Sequence, residues 1–141
     1  IERYFETYPK IKTFLDGLVE DAKKNGYVTT MFGRRRPVPE LSSSNFMQRS
    51  FGERVAMNAP IQGTAADIMK KAMIAVQREL DKAQCKSRIL LQVHDELVLE
   101  VCNEEIAQVS AILREAMEHI VTLSVPLIID IHSGKNWAEA K

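Results

Sequence analysis

Apolar residues recur at helical spacing through residues 10–24, where Ile11, Phe14, Leu15, Leu18, Val19 and Ala22 share one side. Pro9 suits the first turn, where its missing N–H costs nothing, and Asn25-Gly26 suits the stop. The pattern predicts an amphipathic helix. Tyr27 to Phe32 is rich in β-formers and is followed by Gly33, three arginines and Pro37-Val38-Pro39, which predicts a short hairpin with a basic tip. Residues 41–48 are polar and Ser-rich and read as a surface connection. Helical periodicity resumes near Phe51 and continues to about Lys82, interrupted by Pro60, so a kink or two abutting helices are expected. The second of these would be capped by Asn58, or by Thr64 with Asp67 completing a capping box, and its apolar stripe is Ile68, Met69, Ala72, Met73, Val76 and Leu80.

The period then changes from 3.6 to 2. Ile89, Leu91 and Val93 are expected to face one way, and Leu97, Leu99 and Val101 to do the same after a short interruption. This predicts two antiparallel strands joined by a tight polar turn. Asn103 is expected to cap a further helix with Glu104 and Glu105 in its first turn, favourable at the positive end of the helix dipole. Its buried face would be Ile106, Val109, Leu113, Ala116, Met117 and Ile120. Beyond Pro126, residues 127–132 are expected to add a last strand to the hairpin's sheet. The element order gives an α+β fold in which a small antiparallel sheet is covered by helices on one face.

Composition narrows the partners. Of 141 residues, 45% are hydrophobic and 27% charged, enough for one modest core or two small lobes. Nineteen Lys and Arg balance nineteen Asp and Glu, so no global field draws the chain to nucleic acid, and any such binding must come from local patches. Cys85 and Cys102 lack metal-ligand spacing and read as reduced thiols of a cytosolic protein. The apolar runs are far shorter than the roughly 20 residues of a membrane span, and no leader opens the chain, so neither secretion nor a membrane is expected. The chain begins at Ile1 and presents Tyr4, Phe5 and Tyr8 almost at once, as though cut at its front.

His94-Asp95-Glu96 falls where two hydrophobic strands turn, which presents consecutive polar groups on a backbone-paired support. A carboxylate there suits Mg²⁺, which takes one or two carboxylates plus waters and substrate phosphates. From the tripeptide alone an ordinary polar turn is the simpler reading. Arg54, Asn58 and Gln62 recur every four residues, placing a guanidinium and two amides along one helical face. Such donors can reach minor-groove acceptors without distinguishing the base, although a solvated face reads the same way. Arg34, Arg35 and Arg36 concentrate charge able to hold phosphates. Ser42 to Ser44 lack the strand-to-helix elbow of a hydrolase nucleophile, and no glycine loop for phosphates is present.

These signals combine in two blocks. Glu53-Arg54-Val55-Ala56-Met57-Asn58-Ala59-Pro60-Ile61-Gln62-Gly63-Thr64-Ala65-Ala66-Asp67, followed by Leu91-Gln92-Val93-His94-Asp95-Glu96-Leu97-Val98-Leu99-Glu100, resembles the signature of family A DNA polymerases, the bacterial polymerase I type. The resemblance extends from Tyr4-Phe5 and Tyr8-Pro9, through Gly33-Arg34-Arg35-Arg36, to Val125-Pro126-Leu127 and Asn136-Trp137. It implies that Asp95 and Glu96 are catalytic and bind metal, Asp95 as a palm carboxylate for two Mg²⁺ ions and Glu96 as its neighbour. It implies that His94 approaches the primer terminus and that Arg54, Asn58 and Gln62 contact the minor-groove side of the primer-template. Residues 1–50 would be the last part of a fingers subdomain and residues 51–141 the last part of the palm. The implied activity is template-directed DNA synthesis in the bacterial cytoplasm or nucleoid, with primer-template DNA, a dNTP and the remainder of the polymerase chain as partners. The family's second metal-binding aspartate and the nucleotide-gripping fingers helix have no match here and are expected before residue 1, so this stretch by itself is expected to be inert.

Overall fold

The computed structural model describes residues 2–140 and divides at Asp67/Ile68 into two compact units. The fold is α+β: helices with two small antiparallel two-stranded sheets. In the first unit, α1 (Glu2–Thr7) precedes α2 (Pro9–Asn25), which places Pro9 in the first turn as expected. It ends where Gly26 takes φ of 79° and returns its N–H to Ala22 O at 2.8 Å. A left-handed residue at this position satisfies a carbonyl the helix would otherwise leave bare, and glycine adopts it without strain. Strands β1 (Tyr27–Thr29) and β2 (Arg35–Pro37) follow, pairing Thr29 with Arg35 and Val28 with Arg36. The basic tip is therefore narrower than the sequence suggested. Arg35 and Arg36 lie in the second strand, and only Arg34 belongs to the turn.

Residues 41–48 are not a simple surface connection. Pro39–Ser42 form a 3-10 turn that buries Leu41. Asn45 Oδ1 then accepts Met47 N at 2.8 Å and Gln48 N at 3.4 Å, capping a helix that starts at Phe46, ahead of the expected Phe51. That helix, α3 (Phe46–Lys82), runs through Pro60 as one element. Proline withholds only the N–H that would reach Ala56, and the helical bonds on either side carry the segment across. Neither Asn58 nor Thr64 starts a second helix: Thr64 Oγ1 donates back to Pro60 O at 2.6 Å, and the Asp67 carboxylate is engaged elsewhere. The first unit's core is Val19, Ala22, Val28, Val38, Leu41 and Ala56, so α3 closes over α2 and the small hairpin.

In the second unit the rest of α3 is followed by β3 (Arg88–Val93) and β4 (Glu96–Glu100), then a 3-10 turn (Asn103–Glu105) and α4 (Ile106–Glu118). Val76, Leu80 and Val109 are fully buried and pack with Ile89, Leu97, Leu99 and Val101. The expected common face of Ile89, Leu91 and Val93 fails, because the register shifts between Ile89 and Leu91: Ile89 pairs with Leu99 but Leu91 with Val98. One extra residue on a strand reverses the facing of everything beyond it, and Leu91 is left about half exposed, at 49%. Asn103 opens the 3-10 turn instead of capping α4, and Ile106 lies 40% exposed at the margin of a buried face centred on Val109. Residues 127–132 alternate between half-buried and exposed, as a strand would, yet form no strand among the described residues. Alternation of environment produced the expectation; a strand also needs a hydrogen-bonded neighbour, and Ile129 N instead meets Glu118 Oε1 at 3.2 Å. No helix among the described residues is long and apolar enough to cross a membrane.

Candidate functional site

Val93 pairs with Glu96, which leaves His94 and Asp95 as a two-residue turn at the end of the second unit's hairpin. His94 takes φ of 52°, in the left-handed region that tight hairpin turns require and that histidine tolerates better than bulky residues do. Gln92 Nε2 donates to His94 O at 2.6 Å and steadies the turn. The side chains of His94, Asp95 and Glu96 are all exposed, and none makes a hydrogen bond or ion pair among the described residues. Two adjacent carboxylates are thus held at a fixed point with their oxygens uncommitted. Hard oxygen donors of this number match the protein's usual share of a Mg²⁺ site. Among the described residues no three His, Cys, Asp or Glu side chains converge.

In the first unit, Arg54, Asn58 and Gln62 are exposed, alternating along α3 with buried Gly52, Ala56 and Pro60. At a rise of about 1.5 Å per residue, the three stand roughly 6 Å apart along the axis. None has a hydrogen-bond partner among the described residues, so the row offers free donors at a regular pitch. This is the face expected from the sequence.

The three arginines separate into three states. Arg34 Nε donates to Asp67 Oδ1 at 2.6 Å, with its side chain 60% exposed and that of Asp67 5% exposed. The Arg35 guanidinium lies over the Tyr27 ring, 4.7 Å from its centroid. Arg36 is exposed.

Sequence reasoning missed Thr30, Gly63 and Asp67. Thr30 Oγ1 donates to Asp67 Oδ2 at 2.8 Å while accepting Phe32 N and Arg34 N, each at 3.2 Å. Met31 N donates to Thr64 Oγ1 at 2.9 Å, docking the same turn on α3. A Cβ at Gly63 would stand 2.7 Å from Thr30 Cγ2, so the approach requires glycine. Burial of the aspartate is a property of the fold and not of local periodicity, and its three-residue spacing from Thr64 disguised it as a cap.

Glu105 and Cys85 are among the groups perturbed away from this site. Hydrogen bonds from the Ser87 hydroxyl and from the Lys86 and Ser87 amides hold the Glu105 carboxyl below the ordinary glutamate range, against the opposing effect of burial. Burial raises the Cys85 thiol, with Glu105 and Cys102 adding to it, which disfavours the thiolate a nucleophile needs.

Comparison with known proteins identifies the family. The model of DNA polymerase family A matches residues 1–139. The chain is 52% identical over its 141 residues to DNA polymerase I of Bacillus caldotenax, of Geobacillus stearothermophilus and of Bacillus subtilis strain 168. It spans 16% of the length of each of these curated relatives. Among solved structures it resembles the POL domain of Pol1 from M. smegmatis, in complex with DNA primer-template and dNTP, with a TM-score of 0.96 and 46% identity. That match covers 99% of this chain and 24% of the other. The chain belongs to DNA polymerase family A.

Proposed function

We propose that this chain is part of a template-directed DNA polymerase, with residues 1–50 in the fingers and residues 51–141 in the palm. The observation that carries the reading is the hairpin tip, where Asp95 and Glu96 are exposed, adjacent and uncommitted. The reaction joins a deoxynucleotide to a primer: the 3′-hydroxyl oxygen bonds to the α-phosphorus, the bond to the β-phosphate oxygen breaks, and pyrophosphate leaves. Asp95, with Glu96 in support, would hold Mg²⁺, of which the complete enzyme takes two ions. Ions held there would supply charge that lowers the pKa of the attacking hydroxyl and offsets charge on the leaving group.

The chain's own groups do the rest by position. His94, on the same turn, lies beside the primer terminus. Arg54, Asn58 and Gln62 donate to purine N3 and pyrimidine O2 atoms, which every base pair presents in the minor groove, so they register a correctly shaped pair without reading sequence. Arg34, Arg35 and Arg36 offer positive charge to the DNA backbone. One Asp-Glu pair does not supply donors around two ions, so the 141-residue chain by itself should be inert. The working location is the bacterial cytoplasm, alongside the nucleoid.

Asp95→Asn in the intact polymerase tests the assignment. Turnover should fall by roughly a thousandfold or more, since several kcal/mol of charge stabilisation are removed, while the affinity for primer-template changes little. Incorporation near the normal rate would sink the reading.

A further inference from the structure

Resting on the polymerase reading, we infer that Asp67 is a positioning residue, which holds the Arg34 guanidinium side-on so that its two terminal nitrogens are presented to a DNA phosphate. Both ends of Arg34 are fixed by one small network. Thr30 Oγ1 accepts the Arg34 main-chain N–H at 3.2 Å, and Asp67 Oδ1 accepts its Nε at 2.6 Å. The same Thr30 hydroxyl donates to the other Asp67 oxygen at 2.8 Å, which ties hairpin and helix together. Asp67 is buried, yet the arginine it binds keeps 60% of its side chain exposed.

That asymmetry is informative. A buried carboxylate kept for packing is more economically replaced by an apolar residue, and a closed structural pair hides both partners. Here the hydrogen bond is made through Nε, and the side chain stays largely open to solvent. Nitrogens on the outer edge of a guanidinium form a planar fork that matches two oxygens of a phosphate. Holding Nε beforehand removes rotamer freedom that binding would otherwise have to remove. Arg35 is differently placed, stacked on Tyr27, so the three neighbouring arginines are not equivalent.

The test measures primer-template affinity of the intact polymerase at several salt concentrations. Arg34→Ala should weaken binding about tenfold, the scale of one charge-assisted hydrogen-bond pair, and reduce the slope of log affinity against log salt by roughly one. Asp67→Asn should also weaken it. Deleting a negative charge beside DNA would by electrostatics alone tighten binding, so the sign separates positioning from simple charge. On the Arg34→Ala background Asp67→Asn should weaken binding no further, whereas a purely structural aspartate would cost as much there as in the parent. Arg34→Lys retains the charge but has neither an Nε donor nor a fork, so it should fall with Arg34→Ala. Being on the surface, it carries the test even where Asp67→Asn fails to fold.

Tighter or unchanged binding by a folded Asp67→Asn, an undiminished effect on the Arg34→Ala background, or parental affinity in Arg34→Lys would each overturn the inference. An Arg34→Ala enzyme with unchanged affinity and salt slope would overturn it while leaving the polymerase reading intact. An intact protein that fails to bind primer-template at all would instead remove that reading.

Discussion

Gly17 and Gly63 both interrupt helices, where glycine costs roughly 0.5–1 kcal/mol relative to alanine, yet their surroundings give the two positions opposite signs. Nothing lies within 4 Å of a Cβ built at Gly17 in α2. Gly17→Ala should therefore stabilise the chain by about 0.5 kcal/mol, read as a higher urea midpoint. At Gly63 a Cβ would meet Thr30 Cγ2 at 2.7 Å, and Thr30 is not free to turn because its hydroxyl serves Asp67 and two main-chain amides. Gly63→Ala should destabilise by about 1–2 kcal/mol, the helix gain being outweighed by overpacking. A Gly63→Ala midpoint at or above the parent's would show that the turn yields easily. Neither sign was legible beforehand. The Thr30 to Asp67 bond spans 37 residues, and local periodicity carries no information about which turn will cross which helix.

At the scale of elements, the helix over Pro9–Asn25 and the turn at His94-Asp95 were legible because each is defined by neighbours in sequence: a first-turn proline, a terminal glycine, a change of period. The bulge in β3 was not, since all of its residues from Ile89 to Leu91 are apolar and polarity cannot mark which of them is the extra one. Glu105 was misplaced for a related reason. It looked like a partner for the dipole of α4, but its carboxylate turns away to accept Lys86 N at 2.9 Å and Ser87 N at 3.0 Å, together with the Ser87 hydroxyl. Ser87 Oγ in turn accepts Cys102 N at 3.1 Å, so this carboxylate closes the base of the hairpin whose other end carries Asp95. Because these bonds favour the ionised form, the folded pKa lies below the unfolded one. The stabilisation is complete above the unfolded value, roughly 4.3, and is lost as pH falls through the folded value. Glu105→Gln should accordingly be less stable than the parent at neutral pH, with the difference closing as pH falls below the ordinary glutamate range. Urea titrations at a series of pH values check this, and a gap independent of pH would assign the effect to shape and not to charge.

For the whole molecule, family membership was legible because it resides in two contiguous blocks, whereas a site assembled from separate stretches of chain leaves no such contiguous mark. The described residues offer the Asp95-Glu96 pair, the row Arg54, Asn58 and Gln62, and the basic β1–β2 hairpin, and over the full sequence nineteen cationic and nineteen acidic residues cancel. Cancellation matters for affinity, because without a net field only phosphates touched directly by cations release counterions. Arg34, Arg35 and Arg36 can neutralise about three phosphates at most, which limits the salt slope of the 141-residue chain by itself to a magnitude of roughly 3. We therefore expect this chain alone to bind primer-template weakly, with that shallow slope, and to add no nucleotide to a primer at any Mg²⁺ concentration. Anisotropy titrations across salt, paired with a primer-extension assay, measure both. A steeper slope would mean that cations beyond the β1–β2 hairpin face the DNA, and detectable extension would mean that Asp95 and Glu96 suffice for a reaction that we assign to a larger set of ligands.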